Sequence, residues 1–154
     1  MKEATLCFLV KENQILLAMK KRGFGAGKWN GAGGKINAGE TIEEATTREV
    51  DEELGVKLNE KHLENFGDIK FYFKNKPDWD MHVHVFLIKI WEGEPRESEE
   101  MKPQWYQYQE IPYDEMWIDD TYWLPKVLNG QKIEAEFHFN EDGSSFDKYN
   151  IKET

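Results

Sequence analysis

The stretch that most constrains this chain runs from Gly34 to Val56, GKINAGETIEEATTREVDEELGV. Thr41 followed by Glu44 is a capping-box signature, and Gly55 suits a helix C-cap, so the pattern predicts a glycine-rich loop feeding one helix. At about 100° per residue, Glu49, Glu52 and Glu53 fall within roughly one third of the helix surface. Ile42 shares that arc and Val50 and Leu54 flank it, which turns the three carboxylates inward; Asp51, Glu44 and Arg48 take the opposite, solvent side. Like charges at i, i+3 and i+4 on an inward face repel and lose solvation. A divalent cation among them relieves both problems. Hard oxygen donors without His or Cys suit Mg²⁺, or Mn²⁺ in its place, rather than zinc. A solvated acidic face would explain a Glu-rich helix, but not its glycines, its spacing or its lone arginine.

Charge is uneven along the chain. Residues 13 to 39 hold Lys20, Lys21, Arg22, Lys28 and Lys35 and no acid, whereas residues 40 to 53 are strongly acidic, with Arg48 as their only cation. A cationic loop beside a metal-binding helix suits a polyphosphate ligand. The net charge of −10 argues against a nucleic-acid polymer or an anionic membrane as partner. The lone cysteine, Cys7, lies in an apolar run and reads as a core residue of a reducing compartment. With no secretory or membrane-spanning run, the expectation is a cytoplasmic protein.

Residues 4 to 10 and 14 to 19 read as a hairpin of mostly buried strands. The following KKRGFGAGKWNGAGGK reads as a loop whose glycines permit positive φ and close backbone approach to a ligand, ordered by Phe24 and Trp29. After the helix, residues 66 to 74 and 82 to 91 alternate as strands, with Phe71 and Phe73 sharing a face. His82 and His84 alternate on one strand face and could be ligands, but no carboxylate or thiol set completes a site, so they read as structural. A third apolar run follows at 104 to 109, then a helix from about Asp120 ended by Gly130, then a terminal hairpin of 132 to 139 and 146 to 151. This order suits one domain spanning residues 1 to 154, α/β in class, with a mixed sheet between helices.

The Gly34–Val56 stretch matches every specified position of G-x5-E-x7-R-E-U-x-E-E-x-G-U, with U aliphatic, and so resembles the Nudix box. The resemblance implies an α/β/α sandwich with a mixed central sheet, and hydrolysis of a nucleoside diphosphate linked to a further group. It makes Glu49, Glu52 and Glu53 metal ligands with the Gly33 carbonyl, and gives Arg48 the task of orienting the glutamates. Glu100 is a candidate outer ligand or water-positioning base beside Glu53.

Residues 19–31, 80–86, 100–105 and 116–125 further resemble the branch that hydrolyses oxidised purine nucleoside triphosphates, the animal 8-oxo-dGTPase type, which sanitises the nucleotide pool. That resemblance implies that Asn30, Asp119 and Asp120 hydrogen-bond the base, that Trp117 stacks on it, and that Phe71, Phe73 and Met81 line its pocket. Thr5 and Lys20 fall at the inner wall and Gly33, Gly34 and Lys35 near the phosphates. Two adjacent acids at one base edge cannot both ionise easily, so one is expected to stay protonated. A helix-capping role for Asp119 or Asp120 is the alternative. Two features depart from the branch: Ala32 stands where a bulkier aromatic is common, and the loop before Met81 is longer and brings in Trp79. The expected partner is a small nucleotide held by a monomer, with 8-oxo-dGTP or 2-oxo-dATP as substrate. The alternatives are ADP-ribose, a dinucleotide polyphosphate or an undamaged dNTP, or a non-catalytic nucleotide-binding module.

Overall fold

A computed structural model describes residues 1–154. Its strands are β1 (Lys2–Lys11), β2 (Gln14–Lys20), β3 (Trp29–Asn30), β4 (Ala32–Lys35), β5 (Glu64–Phe73), β6 (Met81–Ile88), β7 (Met101–Gln107), β8 (Ile133–Phe139) and β9 (Phe146–Glu153). The helices are α1 (Ile42–Leu54) and α2 (Asp120–Leu128). The sheet runs β3-β2-β1-β6-β5-β8-β9, with β4 added on β1 and β7 on β2. β1–β6 and β5–β8 pair in parallel and the remaining strand pairs are antiparallel, so the sheet is mixed as expected.

Strand alternation sorts the apolar residues into two layers. Phe8, Val10, Ile69, Val85 and Phe137 face α2, where Trp123, Leu124 and Val127 cover them. Cys7, Leu9, Phe86 and Ile88 face α1 and pack on Val50 and Leu54. The helix of the opening stretch forms as its caps predict. Glu44 N–H donates to Thr41 Oγ1 at 3.0 Å and Thr41 N–H to Glu44 Oε1 at 2.8 Å. Gly55 then ends the helix in the left-handed region at φ 75°.

The hairpin of β1 and β2 turns through Glu12 and Asn13, both at positive φ, and pairs only at Val10–Ile15 and Lys11–Gln14. Beyond that the strands part. The same edge of β1 takes β4 from Ala4 to Cys7, while β2 takes β3 at Ala18 and Met19. The glycine-rich segment is therefore a loop only in its first half. Its second half is strand, and its glycines there serve close packing rather than positive φ. A Cβ on Gly33 would lie 1.9 Å from the Thr5 carbonyl oxygen, and one on Gly34 would lie 2.7 Å from the Glu49 carboxylate. Gly33→Ala is expected to lower stability by about 1–3 kcal/mol, read as a lower denaturant midpoint. An unchanged midpoint would contradict this packing.

Other boundaries differ modestly. The run expected at 104–109 is β7, starting earlier at Met101 and passing into a 3-10 turn at Tyr108–Glu110. The strand expected to reach Trp91 stops at Ile88, leaving Lys89 exposed. No helix of the fold is long and apolar enough to cross a membrane.

Candidate active site

A cavity of about 240 Å³ opens between the ends of β1, β4 and β6, the glycine-rich loop and the start of α2. One end reaches Gly33, Gly34, Lys20 and Glu53; the other is walled by Phe71, Phe73, Met81 and Trp117 and holds Asp119 and Asp120. Thr5 and Asn30 also line it. Most residues expected to bind substrate thus meet in one space. Lys35 does not line it: it is exposed, and its carbonyl accepts from Arg48 Nη2 at 3.1 Å.

At the phosphate end the backbone of β4 meets α1. Gly33 N–H donates to Glu53 Oε1 at 3.2 Å, and the missing Cβ of Gly34 gives the Glu49 carboxylate its space. Burial, partly offset by the Gly33 N–H and reinforced by the Glu49 charge, pushes the Glu53 carboxyl up to about 8. Two carboxylates pressed together at partial burial, with oxygen donors only, fit a hard divalent cation. Glu52 sits further out, with its side chain 59% exposed.

Arg48 is not on the solvent side as helix geometry suggested. Its guanidinium folds back, donating to Glu40 at 2.7 and 3.0 Å, to Glu49 at 2.6 Å and to Glu52 at 3.3 Å. One planar fork thereby fixes three carboxylates and holds Glu40 well below the usual carboxylate range, the bond from Arg48 being the main cause. Glu100 is 62% exposed, pairs with Arg22 at 3.3 Å and does not line the cavity.

At the other end the two aspartates are almost fully buried, Asp119 at 2% and Asp120 at 3% exposure. Asp119 precedes α2 but its side chain makes no capping bond; Oδ2 instead accepts from Trp123 Nε1 at 2.8 Å. The capping alternative for Asp119 therefore fails. Burial pushes the Asp119 carboxyl up to about 6 against that bond. Burial first, and the Asp119 charge second, raise Asp120 well above the carboxylate range. Asp120 Oδ2 is buried with no hydrogen-bond partner in the chain.

Residues that sequence reasoning left out of the site complete its walls. Phe24 packs on Trp117 with centroids 5.3 Å apart, and Lys28 Nζ lies 5.3 Å from the Trp117 ring. An aromatic and a lysine stranded among loop glycines were the available signal for both. Of the two departures, Ala32 faces the α1 layer and misses the cavity, whereas Trp79 packs edge-on against Phe24 and Phe73 at 5.3 and 5.6 Å. Trp29, expected to order the loop, is buried against Tyr106.

A carboxylate-bearing loop and helix open into an aromatic cavity on a mixed sheet, and the family match makes the chain a hydrolase of pyrophosphate bonds. The family model described as NUDIX domain matches residues 1–127, and the chain belongs to the Nudix hydrolase family, whose members use divalent metal ions. The chain is 47% identical over 135 residues to an oxidized purine nucleoside triphosphate hydrolase of Danio rerio, covering 88% of this chain and 85% of that protein. It is 44% identical over 149 residues to the protein so named in Mus musculus, covering 97% and 93%. Among solved structures it resembles a mutator MutT protein from Bacillus halodurans, with TM-score 0.86, 28% identity, and 99% and 98% of the two chains covered.

Proposed function

We propose that residues 1–154 act as one cytoplasmic, monomeric Nudix domain that hydrolyses oxidised purine nucleoside triphosphates, 8-oxo-dGTP first and 2-oxo-dATP second. The products are the nucleoside monophosphate and pyrophosphate, and the metal is Mg²⁺, with Mn²⁺ able to replace it. The observation carrying this reading is the buried Asp119–Asp120 pair beside Trp117, with an Asp120 oxygen that has no partner in the chain. Such an oxygen is costly unless a ligand satisfies it. A protonated acid beside an ionised one offers a donor next to an acceptor, which suits the edge of a purine carrying an extra oxo group. The named activity of the relatives from Danio rerio and Mus musculus agrees with it.

In this reading Trp117 stacks on the base, Asn30 reaches a second edge, and Phe71, Phe73 and Met81 exclude water around it. Thr5 backs the wall through the 2.5 Å hydroxyl contact with Thr46 of α1. Lys20, Gly33 and Gly34 receive the phosphates. Glu49, Glu52, Glu53 and the Gly33 carbonyl would hold the divalent cation, which would supply charge neutralisation and a more acidic water. Glu53, placed at the phosphate end of the cavity, takes the proton of the attacking water, with Glu100 as the alternative base. Arg48 positions the box. Glu100 takes an outer role, as a ligand or water-positioning base, only on release from Arg22.

The test is a steady-state comparison of 8-oxo-dGTP, 2-oxo-dATP, dGTP and ADP-ribose with Mg²⁺, identifying products. The oxidised triphosphates should show the highest kcat/KM and release pyrophosphate; a preference for ADP-ribose or dGTP overturns the assignment. Trp117→Ala removes stacking of about 1–3 kcal/mol, so KM for 8-oxo-dGTP should rise roughly tenfold or more while kcat changes less. An unchanged KM would place the base elsewhere.

A further inference from the structure

Parallel pairing of β1 with β6 sets Glu3 opposite His82, and β5 brings Asp68 beside the same histidines from the other edge. The local Asp80 carboxylate accepts from Phe73 N–H, and the carboxylates that meet His82 and His84 come from neighbouring strands. We propose that Glu3, His82 and His84 bind a divalent transition ion of zinc type on the α1 face of the sheet, opposite the aromatic end of the nucleotide cavity, with Asp68 orienting the His82 ring.

The face follows from strand alternation: Met81 and Val83 line the cavity, so His82 and His84 point the other way. One ligand atom from each of Glu3, His82 and His84 lies within 4.8 Å of the others. Glu3 Oε2 is 3.1 Å from His82 Nδ1, and Glu3 Oε1 is 2.8 Å from His84 Nε2. Atoms bound at about 2.0–2.2 Å around one zinc ion have separations of this order.

The donor set decides the metal. Two imidazoles and a carboxylate suit zinc and its neighbours over the hard cation of the glutamate box. Asp68 is the independent observation. It contacts His82 Nε2, the ring nitrogen turned away from Glu3, which is where a metal-bound histidine places its carboxylate partner. With Asp68 on the Nε2 side, Nδ1 is the His82 ring nitrogen that faces Glu3. All three ligands stand on paired strands or next to them, so little ordering is needed to bind.

The experiment titrates the untagged, chelator-stripped chain with Zn²⁺ in excess Mg²⁺, which occupies the glutamate box. Calorimetry should show one zinc equivalent at micromolar or tighter Kd. Ring resonances of His82 and His84 should move while those of His62 and His138 stay. Glu3→Gln and His84→Asn should each weaken binding at least tenfold, Asp68→Asn should weaken it about 10–100-fold, and Glu53→Gln should leave it unchanged. No saturable zinc uptake by the wild type, equal shifts of all the histidine rings, or full uptake by a folded Glu3→Gln, His84→Asn double variant overturns the proposal.

Discussion

Glu53→Gln is expected to lower turnover about 10²–10⁴-fold while the fold stays intact, because Gln keeps the Oε1 that receives the Gly33 N–H. Its second signature is thermodynamic and is read on metal-free protein. The Glu53 carboxyl rises from 4.5 to about 8, with burial as the first cause. A group raised on folding binds its proton more tightly in the native state, so its contribution to stability is complete below about 4.5 and is lost as pH climbs through about 8. Gln has no proton to lose. The variant's denaturant midpoint should therefore change less than that of the wild type between pH 5 and 9, and should exceed it at the alkaline end. A near-normal rate would remove Glu53 from the chemistry; a parallel pH profile would remove the burial argument.

Asp119→Asn should raise KM for 8-oxo-dGTP roughly 10–100-fold, the loss of one charge-assisted base contact of about 1.5–3 kcal/mol. Asn can still accept from Trp123 Nε1, so the aromatic wall stays in place. Burial raises the Asp119 carboxyl from 3.8 to about 6, and its stabilising contribution, full below 3.8, disappears as pH rises through about 6. The variant should thus be the more stable protein at pH 7–8 and the poorer enzyme. The ratio of kcat/KM for 8-oxo-dGTP and 2-oxo-dATP should drift with pH in the wild type, as the proton shared by the acid pair moves, and flatten in Asp119→Asn. A flat wild-type ratio, or a drift that survives the substitution, would end the proton-exchange account of base reading.

Local chemistry made α1 legible: Thr41, Glu44 and Gly55 form a cap at each end, and each does in space what its spacing predicts. The terminal hairpin and α2 were equally local. What the sequence concealed was set by contacts distant along the chain. Gly31 to Gly34 look like more loop because Gly is permissive, yet their small size admits the Thr5 backbone and the Glu49 carboxylate, neither of which is a neighbour in sequence. Arg48 has a solvent-facing helix position, but its side chain is long enough to turn back to Glu40 and Glu49. The partners of His82 and His84 lie on other strands, and only the pairing of β1, β6 and β5 reveals them. The Asp119–Asp120 pair could be named from the run around it, but not its burial in a cavity whose walls include Asn30, Phe71 and Phe139 from segments distant along the chain.

The two-layer arrangement of the sheet has a consequence for how such a protein can change. Glu49 and Glu53 belong to the layer under α1, whereas Trp117, Asp119 and Asp120 belong to the layer under α2, and the cavity joins the two past the glycines of β4. In the proposed function, substitutions in the aromatic layer would redraw the outline of the accepted base without moving the Glu49 and Glu53 carboxylates. On that reading the sheet is a partition between two separately adjustable tools, one for choosing and one for cutting.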